Sequence, residues 1–432
     1  MPFCLFLIHC YCLYLMSMIA NIFHLFKPLF YTMVFILNVN SCSDKNIISE
    51  SNSSGTRKHY IEKNSKAWDD RPKNSSQELK PDSLQEINVC VVGDLMCHKQ
   101  QITNAKKGDK YDFSEYYEFV KGYISQADYA IGNLELTCAG KERGFSGYPS
   151  FNAPDEYVDA LKGAGFDFLV TSNNHSMDLG EKGLLRTIEQ IKRNQLGYTG
   201  TFETKRDHDS IRVVKIKGVN FAVLNYTYGT NGSYPDKGHE YMLNVIDSAV
   251  ITKEIFEAKK LNPDFIMVFF HFGAEYNPDP NDAQKNAVRW AHNAGANLII
   301  GGHPHVVGPC EWLLPTKSNP DTGFVAWTMG NYVSNMTKRF TDAGVMITLK
   351  LKKNNNTNKK SVSAEFVPTW VYKGENPSKK SHVIFPSEFA TDKKKLPSYV
   401  DAGMIGKMLQ AHEDTKSVIN KNKANIPLKS LK

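Results

Sequence analysis

The chain has 432 residues, of which 41% are hydrophobic and 22% charged, so it can bury a large core and is not a mainly disordered protein. Its net charge of +7 is spread over lysine-rich loops and the C-terminal tail, and no stretch alternates basic with aromatic residues, which argues against a nucleic-acid partner. The eight cysteines include no CxxC pair, which argues against a zinc knuckle or a thioredoxin-type motif.

Residues 1–41 have the character of an export segment. Lys27 is their only charged residue, and residues 29–39 form an apolar run of signal-peptide length. Val-Asn-Ser-Cys follows and ends at Cys42, which resembles a bacterial lipobox. We therefore predict a lipoprotein that is anchored through Cys42 on the outer face of the membrane. A plain transmembrane anchor or a cleaved secretory signal is the alternative.

Residues 42–86 are rich in Ser, Asn, Lys and Glu and have almost no aliphatic side chains. Such a stretch cannot bury enough apolar surface to order itself. It therefore predicts a flexible tether between the anchored cysteine and a folded domain that starts at residue 87.

From residue 87 onward, one pattern occurs five times. A short hydrophobic run with the length and β-branching of a strand ends in a small group of Asp, Asn, Glu or His. These runs are residues 89–94, 129–135, 168–175, 266–273 and 297–305.

Three segments between these runs have helical character: residues 114–126, which start with a capping serine, residues 180–194 and residues 282–293. Alternating strands and helices predict parallel pairing, and ligands of such sheets bind at the carboxyl ends of the strands. All five polar groups fall at carboxyl ends, so we expect them to converge on one site.

Further runs indicate that the sheet is not purely parallel. Residues 211–216 and 219–225 flank Lys217-Gly218 as a hairpin would, and residues 325–329 and 345–351 are strand-like. The predicted fold class is therefore α/β, with a mixed sheet or two stacked sheets flanked by helices. The predicted domain spans 87–385. A basic tail, 386–432, contains a helical stretch near 399–412 that either packs on the core or contacts a partner.

The polar groups together supply carboxylates, carboxamides and imidazoles without thiolates, a set that suits Mn, Fe, Zn or Mg. They are Asp94, Asn133, Glu135, Asn174, His175, His271, His303 and His305. In an extended His-Pro-His segment, both imidazoles would point the same way. Each residue alone has a structural explanation, such as a helix cap, a turn or a core histidine. The combination predicts a site for one or two divalent ions.

Several of these segments, in their order and spacing, resemble the capsule synthesis protein CapA family. They are Gly93-Asp-Leu-Met96, Gly132-Asn-Leu-Glu135, Asn173-Asn-His-Ser-Met-Asp178, His271-Phe-Gly-Ala-Glu275, Gly302-His-Pro-His-Val306 and Met329-Gly-Asn-Tyr332. The resemblance covers roughly residues 87–335. It implies a fold like that of the calcineurin-type metallophosphoesterases and a role in poly-γ-glutamate capsule synthesis, export or anchoring.

The resemblance also implies roles for individual residues. Metal binding falls to Asp94, Glu135, Asn174, His271, His303 and His305, with Glu135 in the bridging place. Catalysis falls to His175, as general acid or anion contact, and to Asp94. Asn173, Asp178 and Glu275 are assigned to substrate binding.

Two positions depart from the phosphoesterase pattern. Its first motif usually has a histidine where this chain has Met96, and its second acid is usually Asp rather than Glu135. The first departure predicts that one of two metals binds weakly or is absent. Asp178 and Glu275 could replace the missing ligand.

Three functions remain in competition. The first is a metal-dependent hydrolase of phosphoesterase type, acting on an anionic envelope polymer or a phosphate ester. The second is a non-catalytic component of a capsule synthesis complex that binds polyanionic polymer in the same cleft. The third, a purely structural lipoprotein, leaves the convergent polar groups unexplained.

Overall fold

The computed structural model describes residues 84–374 and 380–429. The predicted export segment, residues 1–41, and the predicted tether up to residue 83 lie outside these ranges. Between residues 84 and 374, and between 380 and 429, no helix is both long and apolar enough to cross a membrane.

The larger of two main sheets has eight strands, numbered here along the chain. Its hydrogen-bonded order is β16 (Val383–Pro386), β15 (Lys360–Tyr372), β14 (Ala343–Asn354), β1 (Leu84–Leu95), β4 (Tyr129–Leu134), β5 (Phe168–Val170) and β6 (Gly197–Thr199), and β13 (Asn331–Val333) also pairs with β1. β1 is parallel to β4 and antiparallel to β14, so the sheet is mixed.

The second sheet has six strands in the order β11 (Cys310–Leu313), β12 (Gly323–Ala326), β10 (Leu298–Gly302), β9 (Phe265–His271), β8 (Val219–Thr227) and β7 (Arg212–Ile216). Its central strands are parallel, whereas β7 and β8 form the predicted antiparallel hairpin. A short ribbon of β2 (Lys106–Lys107) and β3 (Lys110–Tyr111) lies apart from both.

Eight α-helices occur in the described residues: α1 (Lys99–Ala105), α2 (Lys121–Gln126), α3 (Glu156–Ala164), α4 (Gly180–Arg193), α5 (Lys205–His208), α6 (Ser248–Lys260), α7 (Asp282–Ala294) and α8 (Ala402–Ile419). Five short 3-10 helices span Ser114–Tyr117, Lys141–Arg143, Glu240–Met242, Ser387–Thr391 and Lys393–Lys395.

The core is divided by the two sheets. Val89 and Val91 of β1 face a cluster between the sheets, whereas Cys90 and Val92 face a cluster that includes side chains of α3, α4 and α8. This alternation follows from the two-residue period of a strand. A third cluster joins the outer face of the second sheet to α6 and α7. The result is four layers, helix–sheet–sheet–helix, which confirms the predicted α/β class with stacked mixed sheets flanked by helices.

The prediction of one continuous helix over residues 114–126 is wrong. The segment forms a 3-10 turn, Ser114–Tyr117, and then α2, Lys121–Gln126. The reason is local: the amide and the hydroxyl of Ser114 both donate to Asp112 Oδ1, so the serine closes a turn instead of capping a helix.

The C-terminal tail packs on the core. Met408 and Ala411 of α8 are buried in the cluster with α3 and α4, and Ile419 is buried in the cluster between the sheets. α8 begins at Ala402 and continues seven residues beyond the predicted stretch. Of the two predicted possibilities, the described residues show packing on the core.

Candidate metal centre

The two sheets come together at the carboxyl ends of their parallel strands. In the first sheet, Asp94 of β1 pairs in register with Asn133 of β4. In the second, His271 ends β9 beside Gly302, which ends β10. A Cβ at Gly302 would lie 2.7 Å from Asp94 Oδ1, so only glycine allows the sheets to approach this closely here.

Two groups of metal-ligating side chains share one carboxylate at this junction. Glu135, His271 and His303 form one group, and Asp94, Glu135 and His305 form the other; one ligand atom per residue lies within 4.8 Å of the others in its group. Glu135 Oε1 is 3.5 Å from His271 Nε2 and 3.8 Å from His305 Nε2. All five side chains are buried.

Glu135 is the feature that calls for a cation. Its side chain has 0% exposure, and neither carboxylate oxygen has a hydrogen-bond partner among the described residues. Burial, and then the nearby charge of Asp94, raises the pKa of Glu135 well above its ordinary value. A buried carboxylate without a partner costs several kilocalories per mole, roughly, unless a counter-charge joins it.

Two of the three imidazoles have the neutral state that metal binding requires. Burial lowers the pKa of His303 to about 4 and holds the pKa of His271 well below its ordinary value, so both are neutral at pH 7. His303 Nδ1 has no hydrogen-bond partner in the described part of the chain. For His305, burial alone would lower the pKa, but the hydrogen bond and the charge of Asp94 outweigh it and raise the pKa.

The His303-Pro304-His305 segment is not extended, but its two rings lie near each other, with centroids 5.9 Å apart. His303 and His305 have φ values of +96° and +59°, a left-handed region that non-glycine residues rarely adopt. With this bent backbone, His303 lies in the group with Glu135 and His271, and His305 lies in the group with Asp94 and Glu135. Strained backbone of this kind concentrates at functional sites.

Three asparagines orient the ligands. Asn133 Nδ2 donates to Asp94 Oδ1 at 2.8 Å, Asn174 Oδ1 lies 2.7 Å from His271 Nε2, and Asn331 Oδ1 lies 3.0 Å from His305 Nδ1. The structure thus brings Asn174 to the centre beside His271. Asn133 and Asn331 were not assigned roles from the sequence, although both lie in segments that carry the family resemblance.

His175 and Asp178 form a separate pair beside the centre. His175 Nδ1 and Asp178 Oδ2 are 2.8 Å apart, and Asp178 Oδ2 also accepts from the backbone N–H of Phe151. The ring of Phe151 packs edge-on against His175 with a centroid distance of 4.6 Å. These contacts fix the ring and place a proton on Nδ1.

The family model of the bacterial capsule synthesis protein PGA_cap matches residues 88–336, more than half of the chain. The chain belongs to this family. All the ligands described above lie inside the matched range, whereas β14 to β16 and α8 lie beyond it.

Two curated relatives support the membership. The chain is 28% identical to the PGA biosynthesis protein CapA of Bacillus subtilis over 65% of this chain and 72% of the relative. It is 30% identical to the capsule biosynthesis protein CapA of Bacillus anthracis over 58% of this chain and 60% of the relative. Among solved structures, the NAD nucleotidase of Haemophilus influenzae has a TM-score of 0.44 at 14% identity, covering 78% of this chain and 64% of that one.

Within this CapA-family chain, the three residues predicted to bind substrate have different surroundings. Asn173 is fully buried, and its side chain bonds to the backbone of Leu134 and of His175, so it supports the loop that carries Asn174. Glu275 is exposed on the loop after β9 and belongs to neither ligand group. Asp178 contacts His175 rather than open space.

The donor set of this CapA-family chain fits a divalent ion. Oxygen and imidazole ligands surround an unpartnered carboxylate, and Cys97 and Cys138 lie fully buried in a hydrophobic cluster. Beside the group of Glu135, His271 and His303 lies the carboxamide oxygen of Asn174, 2.7 Å from His271 Nε2. At the group of Asp94, Glu135 and His305, no further His, Cys, Asp or Glu of the described residues joins the three, and Met96 is buried in a hydrophobic cluster.

Proposed function

We propose that this CapA-family chain is a metal-dependent hydrolase of the cell envelope that acts on an anionic capsule polymer, of the poly-γ-glutamate type, or on a phosphate ester. The observation that carries the proposal is Glu135, a fully buried carboxylate with two unpartnered oxygens between two groups of histidines. A site built only to bind a polyanion would not bury an extra negative charge at its centre.

The residues have distinct tasks. A divalent ion would be held by Glu135, Asn174, His271 and His303, and a second by Asp94, Glu135 and His305. Such ions polarise a scissile carbonyl or phosphoryl group and neutralise charge that develops during reaction. Tyr228, whose ring lies 4.6 Å from that of His303 and is 46% exposed, lines the open side of the centre.

His175 is suited to move a proton. Because Asp178 holds the Nδ1 proton, the other ring nitrogen is the one that exchanges a proton with a leaving group. Asp178 stabilises the charged form of His175 when the ring gains that proton. Asp178 is therefore a positioning residue for His175.

The proposed place of action is the outer face of the membrane, with the chain anchored through a lipid on Cys42. The support is the lipobox-like sequence that ends at Cys42. When the full chain is expressed in bacteria fed a labelled fatty acid, label should enter the wild type and be lost in Cys42→Ala. Equal labelling of both would contradict the anchor.

The deciding experiment is the metal content of the full chain, purified in detergent, by elemental analysis. We expect about one to two equivalents of a transition metal in the wild type, and loss of most of it in a His303→Ala/His305→Ala variant. His208→Ala, which removes a part-exposed histidine outside every group of possible metal ligands, is the matched control and should keep the metal. A chain without metal, even after addition of Mn or Zn, would overturn the hydrolase proposal.

One observation favours a second candidate, a non-catalytic component that binds acidic polymer. The group of Asp94, Glu135 and His305 gains no fourth His, Cys, Asp or Glu from the described residues, and the chain has Met96 where the phosphoesterase pattern has a histidine. The candidates separate when the metal-loaded chain is incubated with phosphate esters and with poly-γ-glutamate. Turnover that disappears in His175→Ala supports the hydrolase, whereas binding without turnover supports the binding component.

A further inference from the structure

A second pocket lies beyond the range that matches the family model. It has a volume of about 370 Å³ and is lined by the segment after β13, the end of β15 and one face of α8. This volume falls in the range of roughly 300–1,000 Å³ that is usual for small-ligand sites. Three cationic side chains line it: Arg339, Lys373 and Lys407.

Lys373 is the unusual member. Its ammonium nitrogen is buried and has no hydrogen-bond partner among residues 84–374 and 380–429. The two carboxylates of the pocket are already engaged: Asp342 accepts from Trp370 Nε1 at 2.9 Å, and Asp414 accepts from Arg339 at 2.9 Å. A buried ammonium without a partner is costly, and an anion that enters the pocket would remove that cost.

Lys373 keeps its charge at neutral pH. Burial, opposed by the nearby charge of Asp342, lowers its pKa to about 8. The ammonium form therefore still predominates at pH 7, which is the form that pairs with an anion.

The pocket has apolar walls as well as charge. Phe340, Trp370 and Met404 line it together with the three cations. A bare inorganic ion makes no use of such walls. A carboxylate on a short chain of methylene groups, as in a glutamyl unit, would use both the cations and the walls.

The backbone joins this pocket to the metal centre. Asn331, beside His305, donates to the carbonyl of Thr341, and the next residue, Asp342, lines the pocket. Between these ends, Lys338 Nζ lies 4.3 Å from the ring centroid of Tyr276. The amide of Tyr276 in turn donates to the carbonyl of Pro304, between the two metal-centre histidines.

We propose that this pocket is a carboxylate subsite, in which Lys373 binds one acidic unit of a polymer whose neighbouring units extend past Lys338 toward the metal centre. The inference rests on the proposed function in one respect, that the substrate is an acidic polymer. It does not require that the polymer be cleaved.

The test measures binding of a fluorescent γ-glutamate decamer to the full chain, purified in detergent, by polarisation. Lys373→Met, which keeps the length of the side chain and removes its charge, should weaken binding about tenfold and leave the metal content unchanged. Lys215→Met, at an exposed position of β7, is the matched control and should bind within twofold of the wild type. Lys407→Gln, at the exposed edge of the pocket, should weaken binding two- to threefold. It is the alternative test of the pocket if Lys373→Met does not fold.

The outcomes separate this proposal from the hydrolase proposal. If the chain stripped of metal by a chelator still binds the decamer and still depends on Lys373, the subsite stands even where hydrolysis fails. Wild-type affinity in both Lys373→Met and Lys407→Gln would overturn the subsite. Displacement of the decamer by millimolar inorganic phosphate but not by free glutamate would overturn the assignment to a carboxylate.

Discussion

Glu135 and Lys373 are both ionisable groups that are buried without a hydrogen-bond partner in the described structure, and their ionised forms carry opposite signs. Each is expensive for the fold on its own. Each lies where a ligand of opposite charge would offset that cost, a cation at Glu135 and an anion at Lys373. At the residue scale, binding of a cation at Glu135 or of an anion at Lys373 should therefore also stabilise the folded chain.

Replacing Glu135 by Gln should separate binding from stability. Because the amide is uncharged, the metal-free variant should be more stable than the metal-free wild type by about 1–3 kcal/mol, while metal is lost. Elemental analysis and thermal unfolding check both effects. Glu254→Gln is the control, since that buried carboxylate already accepts from Tyr226 at 2.7 Å, and it should keep the metal without a gain in stability. Retention of metal in Glu135→Gln would exclude Glu135 as the shared ligand.

Lys373 should give a distinct pH dependence of stability. Its pKa is about 8 in the folded chain and 10.5 ordinarily, so between these values the folded state holds fewer protons than the unfolded state. Raising the pH through this window should therefore stabilise the wild type relative to Lys373→Met. The charged and titratable groups near Lys373 are Asp342, Lys407, His98 and His382.

The measurement is the difference in Tm between the wild type and Lys373→Met across pH 7–10.5. Lys373→Met should be the more stable at pH 7, and its advantage should shrink from pH 8 upward. A difference that stays constant across the window would contradict the burial of a charged Lys373.

At the scale of secondary-structure elements, β1 and α8 connect the hydrophobic core to the candidate metal centre and to the pocket around Lys373. β1 supplies side chains to two core clusters and carries Asp94 next to its last residue, so a core strand also delivers a predicted ligand. α8 covers the end of β15 and forms one wall of the pocket around Lys373. The tail is therefore part of the domain's core and not an appendage.

Met408→Ala tests this packing of α8. Met408 has 0% exposure, so its truncation should lower the free energy of unfolding by about 2–5 kcal/mol. Leu409→Ala, at a neighbouring position that is 41% exposed, should change it by about 0.5 kcal/mol or less. Urea unfolding measures both, and the metal content of both variants should match the wild type. Equal effects of the two substitutions would contradict the packing of α8 on the core.

At the scale of the whole molecule, the candidate metal centre exists because two stacked sheets bring the carboxyl ends of their parallel strands together. Asp94 and Glu135 come from the first sheet, and His271, His303 and His305 from the second. The two ligand groups differ, since the carboxamide oxygen of Asn174 lies beside His271 of the first group, whereas Met96, which follows Asp94 of the second by two residues, is buried in a hydrophobic cluster.

This difference between the two ligand groups predicts that two metal ions bind with different affinities. After dialysis, about one ion should remain per chain, and a second should bind only when free metal is added. Titration with Mn or Zn, followed by elemental analysis, measures the two steps. Asn174→Ala should weaken the first step and leave the second largely unchanged. Two ions that survive dialysis equally would show that Met96 has no effect on occupancy.

Some local predictions from the sequence are confirmed and some are wrong. The hairpin around Lys217-Gly218 and the helix from Gly180 are confirmed, because turn residues and an amphipathic pattern depend on neighbours in the chain. The helix over 114–126 is wrong because one side-chain contact, from Ser114 to Asp112, redirected the chain. The His303-Pro304-His305 segment is bent, with both histidines at positive φ, which the sequence pattern did not indicate.

The sequence by itself determined the α/β class, the family and the ligand types. These depend on hydrophobic runs that end in polar residues, and the residues of each run are adjacent in the chain. Only the tertiary structure decided which possible ligands lie together, that Asn173 supports a loop while Asn331 orients His305, and that Lys373 is buried without a hydrogen-bond partner in the described part of the chain. The physical reason is that burial and pairing depend on segments that are distant in the chain. The pocket around Lys373, built from three such segments, leaves no continuous pattern in the sequence.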